Sequence, residues 1–484
     1  MNFPDLLYEH PSGLAPLSPQ VFEDLQLLHF IPEEIARVTL IPCDAGNLAA
    51  RQEMMRELSQ PALRASLDEL YRCAETLTRL DAVFREARCG EESDAVFVPL
   101  SRALFTFADH AASFPGSCAL AGRFSSFFSR FVKEETESGY RAALEKAEAV
   151  LHDPSCCLFS MHGQSMKLKS GQEETFEEQI EACARDLSLP EAERPALPAR
   201  QLSPAILHAL SLLHPEAFAS FAALRKEYGS HYDPAITAYR LALAFYRTML
   251  SLCDRIRDAH IPLCYPSLSE RKEINLRTVY DISLLAKNET NIVPNDILFT
   301  EEEPFFYLTG ANGGGKTTYL RTVGIAVLLF LCGCPVPCEG GTICPPDAIF
   351  THFPRDERFD GSGRFVEEQT RVNAILDKAT PSSLVLLNET FSSTSEENAV
   401  RHTAQLADTL FERGVFGLYI THQHAIGQTK IPYLNVLIDR DHDNKRTYKV
   451  ARQKNTGGSF ARDILEKYGL TREALSLRYG GNGT

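Results

Sequence analysis

Nine consecutive residues carry the most legible chemistry of this chain: Gly310, Ala311, Asn312, Gly313, Gly314, Gly315, Lys316, Thr317 and Thr318. They fit the spacing G-x-x-x-x-G-K-[ST] at every fixed position. Glycines in such a loop let backbone N–H groups curl around a phosphate, because a Cβ would block the approach or the dihedrals. Lys316 is expected to reach β- and γ-phosphate oxygens, and Thr317 to hold Mg²⁺. An apolar stretch, FFYLT, leads in and TTYLRTVGIAVLLFL leads out. The loop therefore lies between a predicted strand and a predicted helix whose N-terminal dipole favours an anion. The plainer alternative is a glycine-rich turn before a helix. With strand, loop, Lys-Thr pair and helix all in order, the reading is nucleotide binding.

Two further strand ends extend this chemistry. SLVLLNET (383–390) is an apolar run ending in Asn388 and Glu389, where nucleotide hydrolases of this loop type place a Mg²⁺-directing acid and a water-activating glutamate. Asn388 can hydrogen-bond a Mg²⁺-bound water but lacks the charge that helps fix the ion. Glu389 can take a proton from attacking water. FGLYITH puts His422 at another strand end, where it would sense the γ-phosphate or position water, or merely satisfy the strand end.

The elements around these residues follow from composition and periodicity. The chain has 484 residues, 49 basic and 64 acidic side chains and a formal charge of −15. A prior of ~150 residues per domain gives about three domains. Charged residues at 23% and apolar residues at 44% exclude wholesale disorder and collagen-like or coiled-coil architectures. Residues 291–484 hold 20 basic and 23 acidic groups, so the first 290 carry −12 of the balance. That speaks against coating nucleic acid by bulk charge, but not against a local basic groove. No run reaches the roughly 18 apolar residues of a membrane span, and MNFPDLLYEH lacks the n- and h-regions of an export signal. Thirteen scattered cysteines read as reduced thiols of a cytoplasmic protein. Cys332, Cys334, Cys338 and Cys344 invite a zinc reading, yet their gaps do not match paired CxxC knuckles. Small apolar residues at the end of a buried helix and in its following loop is the plainer reading.

Three segments are expected. Residues 1–40 are a lead of short apolar pieces broken by prolines. Residues 41–265 read as an all-α region with apolar residues at three- and four-residue spacing. Within it, CLFSMHGQSMKLKS (157–170) reads as a small hairpin and SLPEAERPALPARQLSP (188–204) as a loop. Asp233-Pro234 reads as the start of a long helix, whose Ile236, Tyr239, Leu243, Tyr246, Leu250 and Cys253 form a core stripe rather than a cofactor face. Residues 266–484 alternate strands (FFYLTG, AIFTHF, SLVLLN, FGLYIT, TYKVARQ) with helices, the pattern of a mostly parallel α/β sheet. ARDILEKYG and TREALSLRYG close it as a short helix pair joined at Gly469.

Read together, these stretches resemble the ATPase domain of the MutS family of DNA mismatch-repair proteins. The family loop GPNMGGKST is matched by GANGGGKTT, including Asn312. VPND (293–296), PVPCEGGTICPPDAIFTHF (335–353), FVEEQTRVNAIL, ATPSSLVLLNET, ITHQH and SFARDILEKYGL follow the family's order. The resemblance is specific over roughly 275–475 and order-consistent over 40–265. It implies an ABC-type P-loop NTPase domain behind a helical core and levers. It further implies a homodimer with two composite sites for ATP and Mg²⁺, and levers that open or close around DNA. Carried over, Gly310 to Thr318 bind phosphates, Thr317 and the Asn388 position hold the metal, Glu389 is the general base and His422 is the γ-phosphate switch.

Departures accompany it. Asn388 replaces an Asp, so hydrolysis is expected to be slow or Mg²⁺ binding altered. Ile292 stands where an aromatic often stacks on adenine. GSGRF (361–365) replaces a Ser-Thr-Phe signature, with Ser362 the nearest serine. No room is read before residue 45 for a mismatch-reading domain, and Phe176-Glu177-Glu178 reads as a solvated helix face.

Two functions compete: an ATP-gated clamp on mismatched or branched DNA, and an ATP-driven switch acting on a protein or ribonucleoprotein. Lys167, Lys169, Lys445, Arg446, Lys449 and Arg452 are the basic residues available to the first, each otherwise a solvated surface. A small-molecule kinase is disfavoured, because no acceptor pocket or lid is readable.

Overall fold

The computed structural model describes residues 6–8, 13–114, 134–150, 158–162, 165–169, 204–232, 234–289, 291–354, 364–391, 395–421, 429–439 and 445–452. The chain forms two compact units. One combines Met1–Leu7 with Arg56–Arg247, the other Tyr8–Met55 with Thr248–Thr484.

The first unit is helical. Pro61 starts a helix to Arg85, where its missing N–H costs nothing, and Leu63, Leu67, Leu70, Ala74 and Leu77 form its buried face. It packs along the helix Gly90–Ala112, which also receives Pro204–Leu213 and Pro215–Tyr228. Aromatic side chains fill the layer: Tyr140 of Glu134–Ala149 stacks on Tyr228 at 4.4 Å and meets Phe105 edge-on at 4.9 Å. The Tyr140 hydroxyl shares a 2.7 Å hydrogen bond with Ser101. Strands β1 (Leu158–His162) and β2 (Ser165–Lys169) form the expected antiparallel hairpin. A 3-10 turn, Pro234–Thr237, precedes the helix Ala238–Asp258, whose residues from Thr248 onward belong to the second unit. Ile236, Tyr239, Leu243, Tyr246, Leu250 and Cys253 are all buried, as a core stripe requires.

The second unit holds two sheets. The smaller has the order β3-β7-β4-β5, from β3 (Ser267–Leu268), β4 (Ile274–Val279), β5 (Asn295–Phe299) and β7 (Gly340–Ile343). The larger has the order β12-β11-β6-β10-β9-β8. Its strands are β6 (Phe305–Thr309), β8 (Ile349–His352), β9 (Leu384–Asn388), β10 (Phe416–Ile420), β11 (Tyr433–Asp439) and β12 (Lys445–Arg452). All its pairings are parallel except β11 with β12. Continuous apolar runs explain this: β6, β9 and β10 are buried at every position, the pattern of strands covered on both faces. From β6 the chain goes out to the β8 edge, then returns through β9 and β10 past β6 to β11. The connections leaving β6 and β10 therefore run in opposite directions, a reversal at β6. Ligands of open α/β sheets bind at the carboxyl ends of strands at such a reversal.

Residues 8–55, which straddle the expected lead segment, belong to this second unit. Asp24 Oδ2 accepts from Thr351 Oγ1 at 2.6 Å, and its carbonyl accepts from Arg321 Nε at 3.1 Å. Leu25 lies against Gly324, where an added Cβ would come within 2.5 Å of it. Arg51, only 1% exposed, sits 4.5 Å over the Tyr8 ring, with Nη1 3.5 Å from the Cys332 carbonyl. Replacing Arg51 with alanine leaves an emptied polar site among buried thiols. A loss of about 3 kcal/mol in unfolding free energy is expected in denaturant titration; an unchanged midpoint would show that this segment does not brace the unit.

Cys332, Cys334 and Cys338 are buried and Cys344 is half-buried. Among the described residues these four do not bring ligand atoms close enough to share an ion. Burial pushes the Cys332 and Cys334 thiols upward, away from thiolate. The core reading of this cluster therefore describes them better than zinc. No helix among the described residues is long and apolar enough to cross a membrane.

Candidate functional site

Strand β6 ends at Thr309 and the glycine loop begins one residue later, at the carboxyl edge of the larger sheet. Gly310, Gly313 and Gly315 have φ values of +130°, +68° and +98°, which L side chains rarely adopt. Gly314 is required for a different reason: a Cβ there would lie 2.9 Å from the Ala311 carbonyl oxygen. The helix Lys316–Leu331 starts directly from Gly315, so its free N–H groups open onto the loop.

Lys316 is 5% exposed and its ammonium donates to the Gly310 carbonyl at 2.9 Å, the Ala311 carbonyl at 3.2 Å and Asn312 Oδ1 at 3.4 Å. Asn312 thus serves the loop lysine. Burial lowers the Lys316 pKa to about 8, opposed by the negative charge of Glu389. Thr317 and Thr318 are half-exposed beside it.

Two strands along, β9 delivers Asn388 and Glu389. Asn388 pairs with Ile420 of β10 and is 7% exposed; its buried Oδ1 has no hydrogen-bond partner among the described residues. Glu389 follows in a left-handed conformation, φ +49°, with its N–H donating to the Ile420 carbonyl at 3.1 Å. Phe391 is left-handed too, at φ +67°. Such conformations cost of order 1–3 kcal/mol each and persist only where the surroundings hold them. Here Thr390 is the clamp. Its hydroxyl meets His352 Nδ1 at 3.2 Å, and its carbonyl accepts from the Tyr419 hydroxyl at 3.2 Å. Tyr419 in turn shares a 3.0 Å bond with Thr403. Two strained residues therefore flank a hydrogen-bonded threonine, and the half-exposed Glu389 carboxylate is set in the field of Lys316.

The structure brings together Gly310 to Thr318, Asn388 and Glu389. Ile292 is half-buried on the stretch entering β5, whose Pro294 and Asn295 are pinned to β12. Ser362 and His422 lie outside the described residues, as do Phe176 to Glu178, the 188–204 stretch and the closing helix pair. Sequence reasoning missed the wall opposite the loop. Val436 of β11 lies against Gly310 and Gly314, Arg446 of β12 against Gly313, and Tyr448 against Gly315. Thr309 Oγ1 donates to Asn435 Oδ1, joining that wall to β6. The alternating charge of KRTYKVAR was the available signal, but only strand pairing shows which of its side chains face the loop.

The residues fit a nucleoside triphosphate with Mg²⁺: a glycine cradle that Cβ atoms would fill, a buried lysine, and an orphaned amide oxygen near a carboxylate. Known proteins with similar sequences bear on this region. Residues 306–462 match the family described as MutS domain V. DNA mismatch repair protein spellchecker 1 of Drosophila melanogaster is 32% identical over 200 residues, 40% of this chain and 22% of that protein. DNA mismatch repair protein MSH2 of Saccharomyces cerevisiae is 29% identical over 212 residues, 42% of this chain and 22% of its own length. DNA mismatch repair protein MutS of Petrotoga mobilis is 37% identical over 120 residues, 25% of this chain and 15% of its own. The chain thus spans about a fifth of the length of these relatives, or less.

Proposed function

We propose, from a chain that belongs to the MutS family through its domain V, that it is a Mg²⁺-dependent ATPase whose nucleotide state drives a DNA-binding clamp. Its setting is DNA mismatch repair or related processing of DNA structures, the role that the relatives' names carry. The observation that supports it most is the convergence at one sheet edge of the glycine loop, the buried Lys316 and the strained, clamped Glu389.

In this reading the second unit is an ABC-type P-loop domain. Backbone N–H groups of 310–318 and Lys316 bind phosphate oxygens. Thr317 and Asn388 hold Mg²⁺, which when bound neutralises phosphate charge. Glu389 accepts the proton of attacking water. Ile292 lies under the base without an aromatic stack. His422 senses the γ-phosphate, and Ser362 reaches the site of a partner copy, so the working form is a homodimer with composite sites. The domains are proposed as a lead over 1–40, a core and lever region over 41–265 and an ATPase region over 266–484, in a cytoplasmic protein.

Mg²⁺-dependent release of phosphate from ATP, measured with and without duplex or branched DNA, tests this reading. Hydrolysis that responds to DNA is expected. Absence of Mg²⁺-dependent hydrolysis under either condition would overturn it. Asn388→Asp returns the missing charge beside the metal and is expected to raise the rate; an unchanged rate would remove that account of slow turnover.

The −12 balance of the first 290 residues favours a second reading, an ATP-driven switch on a protein or ribonucleoprotein. Copurification of such a partner in place of DNA would decide for it.

A further inference from the structure

Among the basic side chains of β12, two are already engaged. Arg452 pairs with Glu303, and Lys449 donates to the Pro294 carbonyl at 2.5 Å. Arg446 differs. Its guanidinium lies across Gly313 of the phosphate loop, with Nη1, Cζ and Nη2 at 2.8, 3.1 and 3.2 Å from where a Cβ of residue 313 would stand. Among the described residues nothing accepts a hydrogen bond from it.

The backbone is built to put it there. The β11–β12 register shifts between Val436 and Ile438, and Tyr448 takes a left-handed φ of +57°. Such irregularities re-aim side chains beside functional sites. Asn295 fixes the distorted strand from the other side: its amide donates to the Tyr448 carbonyl at 3.0 Å and its Oδ1 accepts from Val450 N–H at 2.8 Å. Thr447 Oγ1 donates to the Leu437 carbonyl at 2.6 Å. The loop side is also permissive. Gly313 carries no side chain, which leaves the space that the guanidinium fills.

We propose that Arg446 is a second phosphate-binding cation of this site, contacting the phosphate chain of a nucleoside di- or triphosphate held by the loop. The proposal rests on the nucleotide-site reading above. A guanidinium keeps its charge at every working pH and presents forked donors suited to phosphate oxygens. It brings fixed positive charge to a site where Asn388 has replaced a metal-fixing carboxylate. Nucleotide affinity should accordingly depend less on Mg²⁺ than it does once Arg446 is removed. This assignment takes Arg446 out of the basic residues available to DNA.

Equilibrium binding of ATP, ADP and adenosine to wild type, Arg446→Gln and Arg446→Lys, each with Mg²⁺ or with EDTA, tests it. Arg446→Gln should weaken ATP and ADP by roughly 10- to 100-fold, as expected for a lost charge-assisted contact. The loss should be larger in EDTA, and adenosine affinity should not change. Arg446→Lys should recover part of the ATP affinity. Because the side chain is exposed, thermal melting of the nucleotide-free variants should match wild type. Equal ATP binding by wild type and Arg446→Gln under both conditions would overturn this proposal alone. Equal losses for ATP and adenosine would overturn it as well, by showing a general effect on the pocket. A wild type that binds no nucleotide would overturn the site reading and this proposal together.

Discussion

Replacing Glu389 with alanine is expected to leave ATP bound and to slow its hydrolysis by roughly 10²- to 10⁴-fold, the range for removal of a positioned general base. The expectation rests on where the carboxylate is held. Glu389 ends the buried strand β9 and turns out of it at φ +49°. Alanine would accept the same turn no more comfortably, so the backbone must be held by its neighbours. The Ile420 carbonyl, His352 and Tyr419 do this through the main chain of Glu389 and through Thr390. None of these contacts uses the glutamate side chain, so they should hold the turn when the proton acceptor is removed. Phosphate release under saturating ATP, beside a binding isotherm for the same preparation, separates the two effects. Equal hydrolysis by wild type and variant would show that the base is another group.

The second large effect belongs to Lys316. Lys316→Ala removes the buried ammonium that bridges the loop carbonyls, and ATP affinity should fall by about 100-fold or more. Part of that loss is positional: Gly310, Ala311 and Asn312 all accept from this nitrogen. A pH series offers an independent check. Burial holds the Lys316 pKa at about 8, below the ordinary lysine value, while phosphate favours the charged form. Below about pH 8 the ammonium is already present and affinity should be flat with respect to this group. Above it, binding must take up a proton, and affinity should decline by up to about tenfold per pH unit until the pKa of the bound state is reached. The decline should vanish in Lys316→Ala. A decline that survives the substitution would assign it elsewhere.

The loop was legible because its chemistry is local: four fixed positions within eight residues, with a strand before and a helix after. The β9 and β10 ends were legible for a similar reason, since unbroken apolar runs mark strands buried on both faces. What stayed hidden depends on contacts between distant residues. Asp24 meets Thr351, and Arg51 meets Cys332, about three hundred positions away in the chain. Short apolar pieces broken by prolines have no period that could announce such partners. The strain at Glu389 and Phe391 is likewise a property of the turn's surroundings, since neither residue type signals φ > 0. Arg446 was visible only as one more basic residue. Its place over Gly313 follows from an irregular register that no alternation pattern reveals. By contrast, the hairpin of β1 and β2 and the stripe from Ile236 to Cys253 were readable from their alternation and three- and four-residue spacing.

The proposed function turns on nucleotide state at this loop governing a hold on DNA. Its most direct test uses the Glu389→Ala protein, so that ATP stays bound, in an affinity screen against matched, mismatched and branched DNA and against RNA, with and without ATP. The expected result is DNA binding whose affinity changes at least severalfold on adding ATP and weakens with rising salt. Full occupancy by ATP with no binding to any DNA, or with DNA binding indifferent to ATP, would contradict it.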